Sequence, residues 1–221
     1  MKLLVEALTK FICGLLMVGL LIFLPAGTLS YPYGWLLMGL LFGPMLIAGF
    51  VMMAKSPEFL KKRLDGKEKQ GTQKGVVAFS GLMFVAGFVV AGLDFRFGWS
   101  DMPTWVVATA SVLFLIAYAL YAEVMRENTY LSRTIKVEEG QTVVDTGMYG
   151  VVRHPMYAVT ILLFLMIPLV LGSWYALIAF AFYPVIIVVR LKDEEKLLTR
   201  ELSGYADYKQ KVKYRLVPYI W

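Results

Sequence analysis

Cysteine and histidine are almost missing from this chain: Cys13 and His154 are the single examples of each. One cysteine, set in an apolar run, excludes an intramolecular disulfide framework and carries no information about redox compartment. One histidine cannot assemble a zinc site alone. Charge is scarce as well. Only 17% of the 221 residues are Asp, Glu, Lys or Arg, whereas 59% are hydrophobic and mean hydropathy is +0.66. A soluble domain of this size needs a polar shell that so few polar residues cannot supply. Disorder, collagen and coiled coil are excluded on the same composition. What is present instead is long apolar runs, so the chain reads as an integral membrane protein.

A bilayer core about 30 Å thick takes roughly 20 apolar residues as a helix. Four runs qualify: Phe11–Leu29, Trp35–Ala54, Val76–Leu93 and Thr104–Ala122. A fifth stretch, Ala158–Val189, has no charge and is too long for one straight crossing, with Gly172-Ser173 at its centre between Pro168 and Pro184. It reads as a tight helical hairpin with short arms, either of which can stop before the far interface. The expected fold is all-α: a polytopic helical bundle of about six transmembrane segments, plus a short C-terminal helix.

Charge bias sets the expected orientation. With the N-terminus in the cytoplasm, segments 1–10, 55–75, 123–157 and 190–221 hold 21 of the 22 Lys and Arg residues, Arg96 alone falling outside. A single crossing by the fifth stretch would move eight basic residues of the tail outside, so both termini are expected in the cytoplasm. Glu6, the long apolar stretch and the lack of a small-x-small cleavage site favour a first membrane helix over a signal peptide. The net charge of +6 is concentrated on the cytoplasmic side; the loop Lys55–Lys74 carries seven basic residues and three acidic ones, Glu58, Asp65 and Glu68. No nucleic-acid motif accompanies it, and anionic lipid headgroups are the expected partner.

Polar function belongs where polar groups crowd a membrane boundary. Two such segments flank the hairpin. The first runs from Glu123 through Ser132-Arg133 and Gln141-Thr142-Val143-Val144 to Tyr149, Arg153-His154-Pro155-Met156-Tyr157; the second runs from Arg190 through Asp193-Glu194-Glu195 to Tyr205, Tyr208 and Arg215. A hairpin joins its own ends, so Arg153-His154 and the acidic run are expected as neighbours across one crevice. Plain structural roles compete for each residue. Pro155 suits a first helical turn, with His154 as an approximate N-cap. Arg153 can snorkel to headgroups. The acidic run can be a solvated helix start, paired in part with Lys196 and Arg200. Tyr205, Tyr208 and Tyr214 can form an interfacial belt. Gly81, Gly87 and Gly92 lie inside an apolar helix and read as packing rather than as a dinucleotide fingerprint. Convergence favours function: donors Tyr149, Arg153, His154 and Tyr157 face acceptors Glu194 and Glu195 beside lipid, a set suited to a zwitterionic polar ligand.

The ordered set Gly147-x-Tyr149, Arg153-His154-Pro155-x-Tyr157, an apolar hairpin, Glu194-Glu195 and Gly204-Tyr205-x-x-Tyr208 with Arg215 and Pro218 resembles the isoprenylcysteine carboxyl methyltransferase family and the related membrane phospholipid methyltransferases. The resemblance covers roughly residues 104–221, which divides the chain into N-terminal helices (1–103), expected on the acceptor-lipid side, and a methyltransferase-like region (104–221). One departure is Leu202-Ser203, which stand where the family has an aromatic before the glycine.

The resemblance implies S-adenosyl-L-methionine as cofactor, held by Gln141, Thr142, Val143, Val144, Tyr149, His154, Pro155, Met156, Tyr157, Glu194 and Glu195. It places an arginine near the substrate, for which Arg190 is the nearest candidate; Arg153 and Glu194 complete the expected catalytic set. His154 suits the cofactor's carboxylate, and Glu195 its ammonium or ribose with Glu194 behind, although which glutamate meets which group stays open. No metal is implied. The implied activity is methyl transfer to a lipophilic or lipidated acceptor, carboxyl O-methylation of a prenylcysteine-like or other apolar acid first. Phospholipid N-methylation, an NADPH-dependent reductase of the sterol-reductase type and a non-enzymatic scaffold are the alternatives. No obligate protein partner is inferred, and a prokaryotic inner membrane and the endoplasmic reticulum suit the topology equally.

Overall fold

The structure, a computed structural model, describes residues 2–65, 71–131, 134–135 and 137–221. Glu68 of the basic loop, and Ser132, Arg133 and Lys136 of the first polar segment, lie outside them. Every regular element among the described residues is helical: α1 (Lys2–Ala26), α2 (Pro32–Lys55), α3 (Pro57–Leu64), α4 (Gly71–Phe97), α5 (Thr104–Glu127), α6 (Pro155–Val170), α7 (Trp174–Phe180), α8 (Tyr183–Glu201) and α9 (Tyr205–Lys211), with a 3-10 turn at Gly147–Gly150.

Among the described residues five stretches are long and apolar enough to cross a membrane: α1, α2, α4, α5 and the combined Trp174–Glu201, while the apolar α6 is shorter. The hairpin is therefore present as α6 turning back into α7 and α8. Large apolar side chains cover the outside of the bundle; Leu24 is 74% exposed, Ile47 67% and Trp105 69%. In water such a surface would drive aggregation, whereas in lipid it is the solvated face.

Four prolines stand where their missing N–H costs nothing, whereas Pro25, Pro44 and Pro168 lie inside helices. Pro32, Pro57, Pro155 and Pro184 sit in first turns, the last explaining why the second hairpin arm breaks between α7 and α8. Helix α8 then runs uninterrupted out of the apolar stretch to Glu201. Asp193-Glu194-Glu195 thus lie in the body of a helix and do not start one, because nothing breaks the chain between Val185 and the acids.

Close helix approach uses small residues. A Cβ on Gly92 of α4 would lie 2.4 Å from the Ile22 carbonyl oxygen of α1. One on Gly87 would lie 2.4 Å from the Phe180 ring. Both glycines are packing positions, as their setting in an apolar run suggests; Gly81 has open space beside it.

The end of the bundle where α4 meets the hairpin tip is fastened by one buried carboxylate. Asp94, 2% exposed, accepts from the Ser100 backbone amide (2.7 Å), the Ser100 hydroxyl (2.6 Å) and the Ser173 hydroxyl. Ser173 Oγ in turn accepts from the Ala176 amide at 3.0 Å and caps α7, while Ser100 Oγ accepts from the Trp174 amide at 3.0 Å. The Tyr31 hydroxyl donates to the Leu171 carbonyl from the other side. Asp94→Ala removes three charge-assisted bonds and leaves two hydroxyls and an amide to find other partners. We expect a loss of about 2–3 kcal/mol, measured as a lower unfolding midpoint in detergent, with Asp94→Asn intermediate.

Candidate active site

The loop between α5 and α6 is pinned first. Glu127, the last residue of α5, accepts from the Thr146 hydroxyl (3.1 Å) and the Met148 amide (3.2 Å). This folds the chain into the Gly147–Gly150 turn and buries Tyr149. Gly147 has φ +49°, and a Cβ there would sit 2.1 Å from the Glu127 carboxylate oxygens. Glycine is required at this point on both counts. The preceding Gln141–Val144 is irregular chain rather than a paired strand.

Beyond the turn, two consecutive residues of this loop bond the C-terminal tail through their backbones: Arg153 N–H to the Tyr214 carbonyl and His154 N–H to the Arg215 carbonyl, both at 2.9 Å. His154 is the N-cap residue and Pro155 the first residue of α6, as the sequence suggests. The Arg153 side chain, 6% exposed, donates to the Val212 carbonyl (2.7 Å), the Lys213 carbonyl (2.9 Å) and Glu195 Oε1 (2.7 Å). Glu195, 5% exposed, also accepts from Arg215 Nε at 3.0 Å, and His154 Nε2 lies 3.4 Å from Oε1. Arg215 rests over the Trp221 ring, 5.1 Å from its centroid. Loop, helix α8 and tail are thereby joined at one carboxylate.

Glu194 points elsewhere, because neighbours on a helix diverge by about 100°. It accepts from the Tyr157 hydroxyl, which in turn accepts from Arg190 Nε at 3.1 Å. Tyr157 belongs to α6 and Arg190 to α8, so this chain links the two hairpin arms at their charged ends. The Tyr208 hydroxyl donates to the Tyr149 carbonyl at 2.7 Å, bringing α9 against the turn. Burial pushes the Tyr149, Tyr205 and Tyr208 hydroxyls above their ordinary pKa, so all three stay protonated at neutral pH.

These elements surround a cavity of about 790 Å³, part of it open to solvent. Gln141, Thr142, Val143, Val144, Tyr149, Arg153, His154, Met156, Tyr157, Arg190 and Glu194, all singled out in the sequence, line it together. Pro155 and Glu195 are not in its wall; Pro155 starts the helix, and Glu195 holds Arg153 and Arg215 behind it. Tyr205 and Tyr208 are buried and line the cavity, which rules out a surface aromatic belt for these two. Leu198 and Leu202 line it too and continue the i, i+4 series from Arg190 and Glu194, a periodicity visible in the sequence. Asn128, Tyr130, Leu131, Thr134 and Ile135 also line it among the described residues; no motif marks them. Gln73 of α4 reaches the site from far away in sequence, bonding Arg190 and Asp193.

The fold and site define a polytopic membrane protein with a partly polar, open cavity walled by one helical hairpin and its flanking loops. Residues 106–200 match the model of the isoprenylcysteine carboxyl methyltransferase (ICMT) family, which bears out the resemblance carried by the motifs. The chain is also 31% identical over 96 residues to the uncharacterized protein YpbQ of Bacillus subtilis. That match spans 43% of this chain and 57% of the relative.

Removing one partner of a buried ion pair costs far more than the pair contributes. Glu195→Ala strands Arg153 in a buried setting, and we expect about 3–5 kcal/mol of destabilisation, read as a lower unfolding midpoint with protease cleavage opening first in the tail after Lys211.

Proposed function

We propose that the protein is an integral membrane S-adenosyl-L-methionine-dependent methyltransferase acting on a lipophilic acceptor, an apolar carboxylic acid of the prenylcysteine kind first. The carrying observation is the Glu194–Tyr157–Arg190 chain on the wall of a cavity built from the matched motif. That places an anion, a hydroxyl and a cation side by side next to the apolar arms of the hairpin.

The lining fits the cofactor's chemistry. Its carboxylate finds donors in His154 and in the amides of Asn128 and Gln141, and its ammonium and ribose find Glu194 as acceptor. Tyr149, Tyr157, Tyr205 and Tyr208 supply the aromatic rings in the lining that suit a sulfonium. Tyr205 supplies an independent sign: its hydroxyl is buried without a hydrogen-bond partner among the described residues. Such a group is costly unless something else satisfies it.

When bound, S-adenosyl-L-methionine supplies an activated methyl group. The chain's own task is alignment in a site shielded from water. A carboxylate acceptor is ionised at neutral pH and needs no general base. Arg190, held at its Nε by the Tyr157 hydroxyl, orients it. Arg153 is already committed to Glu195 and two carbonyls and serves the architecture of the site. An amine acceptor would need a base, for which Glu194 is the residue at hand.

Calorimetric titration of S-adenosyl-L-methionine and S-adenosylhomocysteine into detergent-purified protein tests the reading. Micromolar binding is expected, lost in His154→Ala and weakened at least about tenfold in Glu194→Gln, the loss of one charge-assisted contact. A folded wild type that binds neither compound overturns the proposal, and NADPH binding in their place would mark a reductase.

A further inference from the structure

Gln73 lies outside the matched segment, in the first turn of α4, yet it is fully buried, and among the described residues its side chain bonds toward α8. Its amide nitrogen donates to Asp193 Oδ2 at 3.0 Å, and its amide oxygen accepts from Arg190 Nη1 at 3.3 Å. These neighbours leave the amide a single orientation. An ionised carboxylate can only accept and a guanidinium can only donate, so a flipped amide would face a like group at both ends.

Arg190 is thus held from two sides. Its Nε bonds the Tyr157 hydroxyl on α6 at 3.1 Å, and its Nη1 bonds Gln73 on α4. A long flexible side chain that would otherwise sample many rotamers is aimed along one direction at the cavity wall. Ordering an arginine in advance removes much of the entropic cost of using it. Gln73 itself is not among the residues lining the cavity; it acts through Arg190.

We propose that Gln73 is a positioning residue: it sets the guanidinium of Arg190 for the anionic end of the acceptor, and so gives the N-terminal helices a direct hold on the acceptor site. The use of Arg190 for an acceptor rests on the methyltransferase reading above; the positioning itself does not.

Phenylglyoxal labelling of the full-length protein in detergent micelles, followed by peptide mass spectrometry, reads the positioning without any acceptor. Gln73→Leu is expected to raise the labelling rate of Arg190 several-fold while leaving Arg153, fixed by its own three bonds, unchanged. The exchange Gln73→Glu with Asp193→Asn reverses donor and acceptor on one side and preserves both contacts, so it is expected to return Arg190 to the wild-type rate. An unchanged Arg190 rate in Gln73→Leu overturns the proposal. So does a parallel rise at Arg153, which would mean that Gln73 only holds the fold, or failure of the exchange to restore protection. Loss of S-adenosylhomocysteine binding by the wild type would overturn the methyltransferase reading and leave the labelling result standing. Where turnover is measured with N-acetyl-S-farnesyl-L-cysteine, Gln73→Leu is expected to raise KM several-fold with cofactor affinity unchanged.

Discussion

A carboxylate sealed away from water has to be met by positive charge, and the charged end of this bundle is organised around that requirement at Glu195. Arg153 arrives from the loop before α6, Arg215 from the tail, and His154 stands at the edge of the same group. None of these segments has a hydrophobic core of its own beyond a small cluster around Leu198, Tyr205 and Tyr208. Tyr149, Leu191 and Leu216 pack them into the main core, and Glu195 is the ionic junction at which all three meet. Once it forms, Arg153 has used its remaining donors on the Val212 and Lys213 carbonyls, and the backbone bonds from Arg153 and His154 to Tyr214 and Arg215 fall into line. The cavity wall is a by-product of that closure.

Helix α4 plays the complementary part along the length of the bundle. It carries two buried polar side chains, one near each end: Gln73 against the acidic and basic groups of α8, and Asp94 against the hairpin tip. Between them its contacts are glycine-mediated and aromatic, with Phe84 and Phe88 meeting Phe164 and Phe180. Apolar packing alone gives helices in lipid little preference for one axial register, since the surrounding chains are equally apolar. Polar contacts at both ends remove that freedom, and the distance between tip and site is fixed with it.

Much of this was legible in the sequence because the governing patterns are local. Apolar run length marks the membrane helices, Pro155 marks the start of α6, and Gly172-Ser173 marks the hairpin tip. The adjacency of Arg153-His154 and the paired acids follows from a hairpin's topology without further knowledge. Three things did not follow. Adjacent acids look equivalent on paper, and only the 100° step of a continuous helix separates Glu194 in the wall from Glu195 behind it. Tyr205 and Tyr208 resemble any interfacial tyrosines until α9 is seen folded against the turn at Tyr149. Gln73 had no signal at all, since a contact spanning 117 residues to Arg190 leaves no local trace.

The 16 residues of α6 have a consequence for where the cavity lies. At a rise of 1.5 Å per residue α6 covers about 24 Å, several ångströms less than a hydrocarbon slab of about 30 Å. The hairpin tip is tethered through Asp94 to the loop joining α4 and α5, so with the tip at one face of such a slab the shortfall would fall at the opposite end, beneath His154 and Tyr157. In that setting the polar cavity beside these residues would lie below the plane of the headgroups, level with lipid tails. A membrane-borne molecule could present its polar end there without being lifted out of the leaflet, while a water-soluble partner would descend to meet it.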